Sequence, residues 1–197
     1  MIIRYQMAGM ATDNPMLTVR ELTSLQRLPV ARLMARLKPD LWDVQEAMNQ
    51  LSGCHGWILA GPDGVPAGWL AVRSLPAHRS VEIECLGYDA LGTYCVGPVL
   101  APLLDVCERW STLQGMINIR YITGSKGLSC HNKKIVDPGQ ELKELASIDR
   151  EDFDWLISMG YQACGILPEV YGNAYHGVLL VKVLNQDISD LLAKLSL

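Results

Sequence analysis

SVEIECLGYDALGTYCVGPVLAPLLDVCERW, residues 80–110, decides how this chain folds. It begins as a strand with alternating apolar and polar residues and breaks at Gly87 and Gly92. It then turns through Tyr94, Cys95, Val96 and Gly97 and enters a helix at Pro98. Alternation marks a strand with its two faces in different surroundings, and proline suits a first helical turn, where its missing N–H has no partner to lose. Strand, glycine-bearing turn and helix start together make one device. The free N–H groups of a helix N-terminus converge, and the helix dipole adds partial positive charge there. Such a point can hold phosphate without a basic side chain. Gly97 would let the backbone approach closely.

The flanking sequence places this device in a sheet. HGWILA (55–60) and VPAGWLAVRSL (65–75) surround the turn residues of GPDG and read as a hairpin. A second turn at 76–80 leads into the strand, which makes a three-stranded meander. After the helix comes another strand, GMINIRYI (115–122), and the crossover makes it a parallel neighbour of strand 80–87. Upstream, residues 2–7 can open the sheet. Thr18 stands as an N-cap with Glu21 three residues on, for a helix that Pro29 interrupts. Val30, Leu33, Met34 and Leu37 continue at helical spacing, and a further helix opens at Pro39-Asp40. Downstream, residues 123–147 read as a solvated loop carrying Lys126, Lys133 and Lys134; its GSKG lacks the P-loop spacing. Asp149 is expected to cap a short helix ending at Gly160. YQACGIL and YHGVLLVKVL follow as strands around the loop LPEVYGNA, and residues 188–195 suggest an amphipathic terminal helix.

Composition narrows the class. With 197 residues, 49% hydrophobic and 19% charged, the chain is expected to form a single globular domain over 1–197. A net charge of −4 without basic runs gives no footprint for nucleic acid, and no apolar run reaches membrane-spanning length. The expected compartment is the cytoplasm, with the six cysteines as reduced thiols. Cys54-His55 and Cys130-His131 are the only Cys/His neighbours, and no spacing completes a metal site.

The order strand, two helices, meander, helix, strand, helix, two strands, with a phosphate-type turn after the fourth strand, resembles the GNAT acyltransferase superfamily from about residue 2 to 184. DFDWLISMGYQACGIL followed by HGVLLVKVL is similar to the family's closing pattern, a helix ending in glycine plus an aromatic residue. The resemblance implies an α/β (α+β) fold with a mixed, mostly antiparallel sheet of six to seven strands. Its central parallel pair would be splayed, and helices would flank it. It further implies acetyl-CoA as co-substrate, held by Tyr94, Cys95, Val96, Gly97 and Val99 at the pyrophosphate and by the backbone of Leu86, Gly87 and Tyr88 along the pantetheine arm. The family loop reads Gln/Arg-x-x-Gly-x-Gly/Ala; here Tyr94 and Val99 stand at its outer positions, Pro98 removes a donor, and nothing between Glu84 and Arg109 is basic. Leu156 occupies the place of a tyrosine that often protonates the departing thiolate.

Acyl transfer to an amine needs a neutral nucleophile, stabilisation of the oxyanion and a proton for the thiolate. Glu82 and Glu84 project from one face of the strand, with Val81, Ile83 and Cys85 expected on the other, and Glu84 is the preferred base. Tyr171 is the candidate acid, with Tyr175 and Tyr94 behind it, because a neutral phenol can donate a proton. Gly87 is expected either to form a bulge that opens the splay or simply to end the strand. His176, heading an apolar strand, reads as structural. The implied acceptor is an amine of a small molecule or peptide, and a homodimer is a further expectation. Two other readings stay open: a GNAT-fold module that binds acyl-CoA or a partner without catalysis, and an α/β nucleotide-binding protein, which would need a mostly parallel sheet.

Overall fold

The computed structural model describes residues 3–4, 17–89 and 96–184. In chain order these form β1 (Ile3–Arg4), β2 (Thr18–Glu21), α1 (Ser24–Leu37), α2 (Val44–Leu51), β3 (His55–Ala60), β4 (Pro66–Leu75) and β5 (Ser80–Tyr88). There follow α3 (Val96–Leu113), β6 (Asn118–Gly124), α4 (Pro138–Lys143), α5 (Glu151–Ser158), β7 (Gln162–Gly172) and β8 (Tyr175–Val183). The strands make one sheet in the order β1-β2-β3-β4-β5-β6-β8-β7. Every neighbouring pair is antiparallel except β5 and β6, which are parallel. The sheet is therefore mixed and mostly antiparallel with a parallel pair inside it, and the mostly parallel alternative is excluded. Gly92, Tyr94, Cys95, the terminal helix expected at 188–195 and most of the strand expected at 2–7 lie outside the described residues.

Several helix starts fall elsewhere than the sequence suggests. Thr18 lies in β2, opposite Ala60 of β3, and Val19 beside it is in the core. Strand pairing and the burial of Val19 outweigh the local capping signal. The cap of α1 is Thr23, whose N–H donates to Gln26 Oε1 at 3.0 Å. Pro29 sits inside α1 without ending it, and the carbonyl deprived of its partner belongs to Leu25, an exposed residue. α2 starts at Asp43 rather than Asp40. There the Asp43 carboxylate accepts from the Glu46 N–H at 2.7 Å, and Glu46 accepts from the Asp43 N–H at 2.8 Å, a reciprocal capping box. Arg150, not Asp149, precedes α5. The segment expected as a loop contains α4, capped by Asp137 through the N–H groups of Gly139 and Gln140. β7 runs on through most of the loop expected before Tyr175.

Two cores sandwich the sheet. On one face α3 packs Val99, Leu100, Leu103 and Leu104 over Leu70, Val72, Val81, Ile83, Ile119, Val178 and Leu180. On the other, α1 and α2 pack Val30, Met34, Ala47 and Leu51 over Ile58, Trp69, Ala71 and Cys85. Tyr161, just after α5, is 1% exposed in the first core, and its hydroxyl has no hydrogen-bond partner among the described residues. A buried, unpaired hydroxyl costs about 1–3 kcal/mol of stability. Tyr161→Phe deletes only that oxygen, so chemical denaturation should show it unchanged in fold and more stable by about 1 kcal/mol; a loss of stability would place a partner on the hydroxyl.

Candidate functional site

β5 and β6 pair from Ser80↔Asn118 to Ile83↔Tyr121 and no further. Beyond that register β5 continues to Tyr88 and β6 to Gly124. The two strands therefore part within the sheet, leaving a cleft walled by backbone. β5 keeps its bonds to β4 as far as Gly68↔Tyr88, so only the edge toward β6 is open. Leu86, Gly87 and Tyr88 lie on that edge, and Glu84 and Cys85 join them because the parting begins after Ile83.

The cause of the parting is a bulge. Ala71 pairs with Cys85 and Val72 with Ile83, which leaves Glu84 as an extra residue on β5. An extra residue shifts the alternation and increases local twist. Val81 and Ile83 accordingly pack under α3, whereas Cys85 packs under α1 and α2. The expectation that these three share a face is corrected by that bulge. Gly87 is not the bulge. A Cβ there would lie 2.4 Å from the Trp69 ring, so glycine is needed for the indole to cover the strand. Gln50 of α2 holds the bulge, its amide donating to the Glu84 carbonyl at 3.3 Å and to Glu84 Oε2 at 3.1 Å. Arg73 Nε meets Glu84 Oε1 at 3.0 Å. Both oxygens of Glu84 are thus engaged, while the Glu82 carboxylate, half-buried, makes no hydrogen bond or ion pair among the described residues. Burial pushes the Cys85 thiol up to about 12, with Cys54 and Glu84 adding to the rise, which removes it as a nucleophile near neutral pH.

At the head of the cleft, α3 begins at Val96, so Val96, Gly97 and Val99 all lie in its first turn. Gly97 faces α5: a Cβ on it would come within 3.1 Å of Trp155 Nε1. Leu156, at the place of the family tyrosine, is 1% exposed and belongs to the core. The α5 residue facing the head of the cleft is Trp155, and its indole N–H has no partner among the described residues. Sequence reading passed over it because a tryptophan beside a helical apolar stripe looks like packing.

The β6 wall is pinned from outside. Arg150 donates to the Gly124 carbonyl at 2.7 Å, the Lys126 carbonyl at 2.8 Å and Thr123 Oγ1 at 2.7 Å, and meets both oxygens of Asp152 at 2.6 and 3.0 Å. Burial alone would raise the Asp152 carboxyl, but the hydrogen bonds and charge of Arg150 outweigh it and hold it below the usual range. The Tyr171 hydroxyl donates to the Ile122 carbonyl at 3.2 Å, on the part of β6 beyond the parallel pairing. Burial raises its pKa, and Tyr175 and Glu82 raise it further, so the phenol keeps its proton. The Tyr171 phenol is thus within electrostatic reach of Glu82. His176 is fully buried, accepting from the Glu169 N–H at 3.0 Å and reaching the Lys133 carbonyl at 2.8 Å, so it is structural. Ser125 and His131 are 3.2 Å apart, but Ser125 is fully buried and also accepts from the His176 N–H. Lys133 is paired with Glu141 at 3.2 Å. Among the described residues no three His, Cys, Asp or Glu side chains converge to hold a metal, and no helix is long and apolar enough to cross a membrane.

No family model matches this sequence, and no curated protein matches it. Solved structures do match. An aminoglycoside 6'-N-acetyltransferase complexed with coenzyme A superimposes with a TM-score of 0.72 at 12% identity, over 84% of this chain and 96% of that one. The aminoglycoside 6'-N-acetyltransferase from Enterococcus faecium gives 0.72 at 13%, over the same shares. The ribosomal-protein-S18-alanine N-acetyltransferase from Escherichia coli gives 0.59 at 11%, over 86% and 95%. A further match is a putative acetyltransferase of the GNAT family, at 0.60 and 14%. The chain has the GNAT fold, with the parallel pair splayed as that fold requires.

The Gln50 clamp is the part of the site most open to a stability test. Gln50→Ala leaves the Glu84 carbonyl without its donor, so the protein should lose about 1–2 kcal/mol in chemical denaturation. Exchange of the β5 amides after Ile83 should quicken more than that of β3. Equal quickening in both strands would show that Gln50 contributes only general packing.

Proposed function

We propose that the protein is an N-acyltransferase that moves an acetyl group from acetyl-CoA directly to an amine. The observation that carries this reading is the cleft between β5 and β6, opened by the Glu84 bulge and headed by the N-terminus of α3. Its walls are open backbone edges, whose donors and acceptors suit the amide-bearing pantetheine arm; the N–H groups of Val96, Gly97 and Val99 suit the pyrophosphate. Pro98 contributes no N–H to that turn, and the free N–H of Trp155 beside Gly97 offers a substitute donor. Tyr94 and Cys95 keep the cradle role that the resemblance implies. Coenzyme A supplies the thioester; the residues do the rest.

In this reading Leu86, Gly87 and Tyr88 run along the arm, and main-chain N–H groups of the open edge polarise the acyl carbonyl. Glu82 takes the proton from the incoming ammonium, directly or through water, because its carboxylate is unengaged. Glu84, bound by Arg73 and Gln50, is held in the bulge and does not take the proton. The amine attacks the carbonyl carbon, the tetrahedral intermediate collapses with loss of the thiolate, and Tyr171 is the proton donor to that thiolate. The acceptor is a small-molecule or peptide amine. A cytoplasmic location accords with the cysteines, since Cys54, Cys85, Cys107, Cys130 and Cys164 are all free thiols. A second reading, an acyl-CoA-binding module without catalysis, is favoured by the buried Leu156, which leaves α5 without a proton donor.

Calorimetric titration with acetyl-CoA and with acetyl-pantetheine separates the readings. Acetyl-CoA should bind with a micromolar Kd, and the form lacking phosphates at least about tenfold more weakly. Release of free thiol with a panel of amines then identifies an enzyme; binding without release in any of them supports the module. No binding by folded protein overturns both. For the enzyme, Glu82→Gln should lower the rate about 100-fold near neutral pH and much less where free amine is abundant. A uniform loss across pH would take the base role away from Glu82.

A further inference from the structure

The connection between α1 and α2 passes over the open stretch of β5. Before it, Arg36 Nη2 meets Asp89 Oδ2 at 2.8 Å, just past the end of β5. After it, Gln50 reaches the bulge at Glu84. Lys38 caps α1 where this connection begins. Its N–H donates to the Met34 carbonyl at 3.0 Å, and its own carbonyl accepts from the N–H groups of Leu41 and Trp42 at 3.0 and 3.1 Å. The backbone at Lys38 is thereby fixed, and the side chain projects from it.

That side chain is within electrostatic reach of groups on both faces of the sheet. Cys85, under α1 and α2, is one; Asp152 and Arg150, at the start of α5 on the α3 face, are the others. The same proximity shows from the other side, since the Lys38 charge helps to hold the Asp152 carboxyl down. α1 lies on the face opposite α5, and the sheet opens between these groups beyond Ile83 and Tyr121. The ammonium therefore lies at the gap between β5 and β6. Protein surrounds it there although the residue as a whole is exposed, the condition of a side chain lying in an open cleft. Burial, the largest influence, lowers its pKa; Asp152 opposes this and Arg150 adds to it. No ion pair explains the placement. Both Asp152 oxygens are taken by Arg150 at 2.6 and 3.0 Å, and among the described residues the Lys38 ammonium makes no hydrogen bond or ion pair. Lys133 and Lys182, by contrast, are bonded to Glu141 and Glu108.

We propose that Lys38 is an internal acceptor, acetylated by acetyl-CoA bound in the protein's own cleft. This rests on the acyl-transfer reading above. In that reading the arm runs from the head of the cleft at Val96 along Tyr88, Gly87 and Leu86, so its acyl end falls beside Cys85, within reach of the Lys38 ammonium. The ammonium first gives one proton to solvent. The neutral amine then attacks the acetyl carbonyl carbon; the N–C bond forms and the C–S bond breaks. The proton lost by the attacking nitrogen balances the one that the leaving thiolate gains, so the products are acetyl-lysine and the free thiol of coenzyme A. A lysine held beside the reacting carbon needs no encounter, whereas a surface lysine meets the thioester only by diffusion. Acetylation replaces a cation by a neutral amide at the gap, which changes the charge that an incoming acceptor meets.

Peptide mass spectrometry of the full-length protein mixed with acetyl-CoA and no added amine tests this, with calorimetric binding measured on the same preparation. Lys38 should be acetylated at least about tenfold faster than the exposed Lys126, Lys134 and Lys143 of the same molecules. Its rate per molecule should not change when the protein is diluted at fixed acetyl-CoA. Lys38→Arg keeps the positive charge but offers no neutral amine, so it should lose the single equivalent of thiol released without added amine. Binding of acetyl-CoA with Lys38 acetylated no faster than the exposed lysines would overturn the proposal and leave the acyl-transfer reading standing. So would thiol release undiminished by Lys38→Arg. A rate per molecule that rises with protein concentration would make Lys38 a substrate of another copy, which also overturns it. Absence of binding would overturn the proposal and the reading together.

Discussion

One additional residue in β5 sets the geometry on which the site depends. Through Ile83, β5 satisfies both neighbours; at Glu84 the strand carries a residue that β4 cannot match, and the parallel ladder to β6 stops. Parting two strands in the middle of a sheet leaves main-chain donors and acceptors unpaired, which is costly in a dry interior. Three side chains offset that cost from outside the ladder. Gln50 satisfies the bulge carbonyl, Arg150 takes the Gly124 carbonyl at the end of β6 and the Lys126 carbonyl just past it, and Tyr171 takes the Ile122 carbonyl. Each comes from a different element, so the cleft is held open by α2, by the start of α5 and by the last hairpin together.

The same bulge arranges the charges. Two carboxylates on an inner strand need partners or water. Glu84 has Arg73 and Gln50, and its side chain is only 15% exposed. Glu82 stands before the bulge, within electrostatic reach of Tyr171, and among the described residues it is in no ion pair, although Arg73 and Arg120 lie opposite it on the neighbouring strands. One geometric event thus leaves two similar residues in different states, one fixed and one available. A base that must accept a proton is better served by the second.

Much of this architecture is legible in the residues. The hairpin at GPDG, the crossover through α3 and the parallel pair all follow from alternation, turn chemistry and a proline at a helix start. What misleads is local competition. Thr18 with Glu21 and Thr23 with Gln26 are equivalent capping signals five residues apart, and only the pairing of β2 with β3 decides between them. The bulge is invisible because no residue type marks it: Glu84 looks like one more polar position, while Gly87, the conspicuous candidate, is small for the sake of Trp69. β7 hides behind Pro168 and a left-handed Glu169, which read as a loop although the strand continues through a register shift.

Residues 80–110 made the fold readable but left the site half read, and the reason lies in what the site is made of. Its walls are strand edges and its head is a helix turn, so nearly any side chain compatible with those backbones will serve. A cleft of that kind can persist while side-chain patterns drift. The positions that stay constrained are those where a side chain would collide, such as Gly87 under Trp69, or where a backbone group would be orphaned, such as Gln50 at the bulge. These are second-order signals, meaningful only once the packing is known. Trp155 shows the consequence most directly. The α5 position that core packing claims is Leu156, and the neighbouring residue, one step around the helix, is the one that meets the head of the cleft.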